Sequence, residues 1–247
     1  MKKILLFLVF LNLMFTIFGQ NRMRPVEELI NQTEPGWELV KQWIDSAKNK
    51  VEVLPCESMK AKESLYKIQV TTRSPMGAII YSTGGILVDG GWIRILGSGH
   101  PKLNRTLPDW NKGKSFNEFG ESMRFLLIAD DAIGGLFAVN AGKFDQDNLG
   151  EVYYLAPETL EWESLDYTYS DFLNLCFNGD LDLFYKGFRW TNWKNDVSSL
   201  DGNSVFSFVP FLWTKEGKDI DNISRKPVPI EEHYSLVMDF RKQFGLE

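Results

Sequence analysis

Apolar residues recur every three or four positions along 36–51. Trp37, Val40, Ile44, Ala47 and Val51 share one face and predict a helix over 36–50, with Pro35 in its first turn. Two more helices are expected over 57–69 and 75–82, the second stopped by Gly84-Gly85. The pattern then changes. Ile86-Leu87-Val88 and Trp92-Ile93-Arg94-Ile95-Leu96 flank Asp89-Gly90-Gly91, a hairpin signal because these turn residues tolerate positive φ. Residues 97–120, rich in Gly, Pro and Asn, predict a long loop. A second hairpin is expected from strands at 125–129 and 136–139 around Asp130 to Gly135. A third joins 151–155 to 161–163. Ser170 reads as the cap of a helix that Gly179 interrupts, and Asp180 caps a short continuation to Tyr185. A late strand covers 205–213, and a closing helix runs over 230–244 between Pro229 and Gly245. Successive hairpins between helical ends predict an α+β fold, an antiparallel β-meander flanked by N- and C-terminal helices.

The N-terminus carries a different pattern. Lys2 and Lys3 precede an apolar run over 4–18, and Gly19 follows, as in a secretory leader. The reading is a signal peptide over 1–19, a polar lead-in over 20–35 and a single domain over 36–247. The apolar run is shorter than the ~20 residues of a spanning helix. Export to the periplasm or beyond the cell is therefore expected, with no stable membrane insertion once the leader is removed. An uncleaved N-terminal membrane anchor is the alternative. Apolar residues at 44% and charged residues at 24% suit a folded chain and argue against disorder. Without Lys2 and Lys3, 25 basic residues face 33 acidic ones with no basic run, which argues against nucleic acid and mildly favours either solubility, as in an ordinary soluble protein, or a basic partner. Export would permit a disulfide between Cys56 and Cys176, although Cys176 falls in an apolar helical pattern and reads as a core thiol.

Signatures of catalysis are sparse. The chain has no P-loop, no H-E-x-x-H and no paired C-x-x-C, and its three Gly doublets read as turns. Ser98 lies near His100 but lacks the flanking glycines of a nucleophile elbow. Asp130 and Asp131 are the most attractive carboxylates. They are expected near a sheet edge, on opposite faces, with one of them bonding the turn backbone. A hydrolase would need one of them to converge with His100. Residues 145–150 partly mimic a calcium loop, yet Leu149 stands where an oxygen ligand belongs, so no metal is expected. His233 reads as a solvent-facing or partly packed helix residue. Trp190 and Trp193 offer a carbohydrate-stacking or partner-binding platform if both indoles are exposed, and Trp110 sits in another loop. No cofactor is expected.

Several of these segments fall in a familiar order. Gly84-Gly85 leads into a strand; Ile128-Ala129-Asp130-Asp131-Ala132-Ile133-Gly134-Gly135 forms a turn; a Tyr-rich strand passes through Pro157-Glu158-Thr159 to Tyr169-Ser170-Asp171. This order resembles the SUKH superfamily. More closely, most of residues 25–245, including Ile93 to His100, resembles a bacterial domain-of-unknown-function family, number 2625. The SUKH resemblance implies an α+β fold, no shared catalytic set and, for many members, an immunity role in which a toxin is bound and neutralised. It implies that Asp130, Asp131, Gly134 and Gly135 mark a hairpin beside a binding face. With His100, Trp110, Trp190 and Trp193 they are the candidate contacts for a protein partner. The leader departs from the cytoplasmic immunity pattern and favours an envelope role.

Overall fold

Short helices lead into the sheet. The structure, a computed structural model, describes residues 23–246, so the leader expected over 1–19 lies outside the described residues. Helix α1 (Val26–Leu29) lies in the polar lead-in, followed by α2 (Gly36–Asp45), α3 (Ser58–Ile68) and α4 (Pro75–Ser82). Ser74 caps α4 by accepting from the Gly77 N–H, and Pro75 needs no donor there. Helix α2 stops at Asp45, five residues earlier than its periodicity suggests. The next residues are held elsewhere: the N–H groups of Lys48 and Asn49 both donate to the Phe177 carbonyl, and the Asn49 amide donates to Cys176 and Gly179.

Seven strands then pair in sequence order as one antiparallel sheet: β1 (Val51–Pro55), β2 (Thr83–Val88), β3 (Ile93–Leu96), β4 (Phe125–Asp131), β5 (Leu136–Asn140), β6 (Glu151–Leu155) and β7 (Trp162–Thr168). The α+β meander is therefore as expected, with one strand more at its start. Asp89, Gly90 and Gly91 all take positive φ in the first turn. Strand β4 is central, so Asp130 and Asp131 lie at its end in the middle of the sheet rather than at an edge. The long loop contains α5 (Leu107–Asn111), capped by Thr106.

Helix α6 (Tyr169–Asn178) begins one residue before the expected cap. Thr168, not Ser170, closes the capping box with Asp171, because only Thr168 has Asp171 three residues ahead. Gly179 ends it and Asp180 caps α7 (Leu181–Phe184), as expected. After α8 (Trp193–Ser198), β8 (Ser204–Val209) pairs with β9 (Ser224–Pro229) in a separate ribbon, and α9 (Ile230–Gln243) closes the described chain.

Both faces of the central strands are covered. Phe137 of β5 packs on Phe172 of α6, 4.9 Å between ring centres, on one face. On the other, Arg94 of β3 reaches the Ser204 carbonyl at the start of β8. Burying both faces leaves every residue of β2 and β3 enclosed, Arg94 included. Cys56 and Cys176 are both free thiols. Among the described residues no helix is long and apolar enough to cross a membrane.

Candidate functional site

The β4–β5 turn gathers the buried Arg94, Asp130, Asp131 and His233. Register pairs Arg94 with Asp130 and Ile93 with Asp131, so the two aspartates face opposite sides of the sheet. Asp130 is fully buried between two guanidinium groups: it pairs with Arg94, and Arg105 donates to it at 2.6 Å. Arg94 also donates to the Asp131 carbonyl at 2.7 Å, and Arg105 to the Gly202 carbonyl at 3.0 Å. The cluster thus stitches the sheet to the segment entering β8. Burial pushes the Arg94 guanidinium below its ordinary value, and the adjacent Asp130 charge counters it.

Asp131 does the turn bonding anticipated from sequence. Its Oδ1 accepts the N–H groups of Ile133 (3.1 Å) and Gly135 (2.8 Å). Its Oδ2 accepts the hydroxyls of Tyr154 (2.7 Å) and Tyr185 (3.2 Å). Burial raises the Asp131 carboxyl above the usual carboxylate range, while the bonds from Tyr154 and Gly135 and the Arg94 charge offset part of that rise. Burial likewise holds both tyrosine hydroxyls protonated, well above their ordinary range.

Gly134 and Gly135 are kept as glycines by their neighbours. A Cβ on Gly134 would lie 2.1 Å from Nε2 of His233, and one on Gly135 would lie 2.3 Å from the Tyr154 hydroxyl. His233 is accordingly buried, not solvent-facing. Its ring nitrogens make no hydrogen bond of proper geometry, although the Gly134 backbone lies against the ring. Burial pushes the imidazole down to about 4.

His100 lies elsewhere. It lines a 440 Å³ cleft with Lys60, Glu63, Lys67 and Asp109, and its Nδ1 accepts the Lys102 N–H at 3.1 Å. The aspartates' oxygens are filled by arginines, tyrosines and the turn. The convergence with His100 that a hydrolase needs is therefore not formed. Ser98 is buried and donates to the Thr83 carbonyl at 2.7 Å.

The tryptophan platform is also not formed. Trp190 is 1% exposed and Trp193 8% exposed. Trp190 packs against Phe206 and Phe208, and its indole N–H donates to Asp196 at 2.6 Å. Trp193 meets Trp92 edge-on, with the Arg189 guanidinium 4.1 Å above its ring. Trp110 is 2% exposed, flanked by the Arg105 and Lys114 cations at 4.6 and 4.1 Å. Each large ring serves the core better than the surface.

Open surface chemistry lies at two places that sequence reasoning missed. One is the β7 edge, where Glu161, Glu163 and Asp166 are exposed. The other is a 590 Å³ trough between α9 and the ends of β4, β6 and β7, walled by Phe125, Phe144, Tyr153, Trp162 and Tyr234. Its rings come from separate segments, so no local pattern announces them. Arg94 gave no local signal either: Ile93-Arg94-Ile95 alternates as a half-exposed strand does, and only the cover on its second face buries the cation.

Comparison with known proteins gives the chain its relatives. A family model described as "Protein of unknown function DUF2625" matches residues 26–233. An uncharacterised protein of Haemophilus influenzae is 45% identical over 224 residues, covering 91% of this chain and 98% of that protein. The putative uncharacterised protein YbfG of Escherichia coli K12 is 40% identical over 222 residues, covering 90% of this chain and 99% of that protein. Both relatives are bacterial.

Proposed function

We infer that this chain, which belongs to the DUF2625 family of proteins of unknown function, acts by binding a protein partner with a basic surface. One observation carries the reading: residues 144–185 hold ten carboxylates and no Lys, Arg or His, although the whole chain has a net charge of only -6. Glu161, Glu163 and Asp166 stand exposed around β7 and form no ion pair among the described residues. Exposed, unpaired carboxylates on one edge speed encounter with an oppositely charged surface and help to orient it.

Strand addition at this edge is guarded against. The β6–β7 register jumps between Val152 and Tyr153, and Asp166 takes a φ of 55°, so the outer strand is bulged as well as charged. Contact through side chains fits this edge better than backbone pairing. The immunity-like role implied by the SUKH resemblance is one form of the reading, a basic toxin being the partner. The leader pattern supports action in the periplasm or outside the cell.

Capture from native envelope extracts, run in parallel with wild type and a Glu163→Lys/Asp166→Asn variant, tests this. A partner held by wild type, released at about 0.5 M salt and lost from the variant is the expected result. Equal capture by the variant, or indifference to salt, removes the acidic edge as the contact. Capture of nothing by wild type removes the binding reading itself.

A further inference from the structure

We propose that the trough between α9 and the sheet is a binding site for a small organic anion built on a flat aromatic ring system, a site that adjoins the partner-binding edge at Glu161. At 590 Å³ it has the size of a small-molecule pocket. Its walls are mainly ring surface. Phe144 lies 4.5 Å from Trp162 and 4.9 Å from Tyr153, with ring planes only 30° and 32° apart, and Phe125 lies 6.4 Å from Trp162. These rings pack on one another, so together they form a continuous aromatic wall against which a planar apolar body can lie, offset-stacked or edge-on.

Charge decides which planar body. Among the described residues, the cations Lys114, Lys143 and Arg241 line the trough together with one carboxylate, Glu161. Their duties differ. Lys114 is committed: its ammonium pairs with Glu231 at 3.0 Å and lies 4.1 Å over the Trp110 ring. Arg241 donates to the Leu160 and Leu246 carbonyls. Lys143 is exposed and makes no ion pair among the described residues. An ammonium beside Phe144 and open to the trough suits a carboxylate carried on the same molecule as the ring. A cationic ligand would meet the Lys143 and Lys114 charges instead, and a neutral one would leave Lys143 unused. The class is therefore an aromatic carboxylate.

The test uses three probes with one ring system: 1-naphthoate, 1-naphthalenemethanol and 1-naphthylmethylammonium, titrated calorimetrically into the purified chain. Naphthoate should bind at least about tenfold more tightly than the ammonium, with the alcohol between them. Lys143→Glu should weaken naphthoate by about tenfold or more and leave the melting temperature unchanged, since the side chain is exposed. Trp162→Ala should weaken all three, and Phe244→Ser, outside the trough, should weaken none. Absence of naphthoate binding into the millimolar range, equal affinity for the acid and the ammonium, or an unaltered Lys143→Glu variant overturns the proposal. The partner capture described above does not depend on this outcome, so either can fail alone.

Discussion

Gly134 sits at a φ of 90°, in the region that side chains rarely adopt, with the His233 ring where its Cβ would go. Gly134→Ala should therefore cost about 3 kcal/mol, combining backbone strain with displacement of a buried ring; urea unfolding measures it. His233 itself gives stability a pH dependence. Its folded-state value is lowered from 6.5 to about 4, so below pH 6.5 the unfolded chain takes up a proton that the folded chain refuses. Stability should fall as pH drops from 6.5 towards 4, by up to about 3 kcal/mol from this group. Arg94 and Asp130 both act on the same ring. Comparing wild type with His233→Gln isolates the contribution, and the variant's unfolding midpoint should change less over that window. An equal slope in both proteins would show that His233 is protonated freely in the folded state. Sequence reading foresaw that an aspartate would bond this turn, because Asp before a Gly-rich turn does so locally. It misplaced His233, because the residue that buries it is about a hundred positions away in the chain.

Elements were legible where their signals are local. Helix α4 falls where Pro75 and the Gly84-Gly85 stop place it, and the β2–β3 hairpin turns at Asp89-Gly90-Gly91. Strand β1 was missed because Val51 continues the helical spacing of α2, and only pairing with β2 draws it into the sheet. Strand β9, Ser-Arg-Lys-Pro-Val-Pro, has no apolar alternation; it exists because β8 supplies a partner. Helix α5 hid in a loop-like composition, yet it has a defined task. The Asn111 side chain donates to the Leu127 carbonyl and accepts the Leu127 N–H, both at 2.8 Å, where β3 has ended and β4 has no strand on that side. Asn111→Ala should leave two buried backbone groups unpaired and cost about 2–4 kcal/mol, read from the denaturant midpoint. A loss below about 0.5 kcal/mol would mean that water or another side chain takes over.

Across the molecule, charge is divided between interior and edge. Inside, Arg94 and Arg105 hold Asp130 and bind the segment before β8, so the acid is a structural joint between sheet and ribbon. Asp130→Asn should destabilise the fold by about 3 kcal/mol or more, because it strands two buried cations. Outside, Glu161, Glu163 and Asp166 are exposed around β7, the edge proposed above for a partner. Hydrogen exchange of the chain, alone and saturated with the captured partner, distinguishes these two roles most directly. Protection should be gained over residues 158–168, while the amides of 130–135, already closed in the core, exchange as before. Protection gained at 130–135 with no change along β7 would contradict this division of roles.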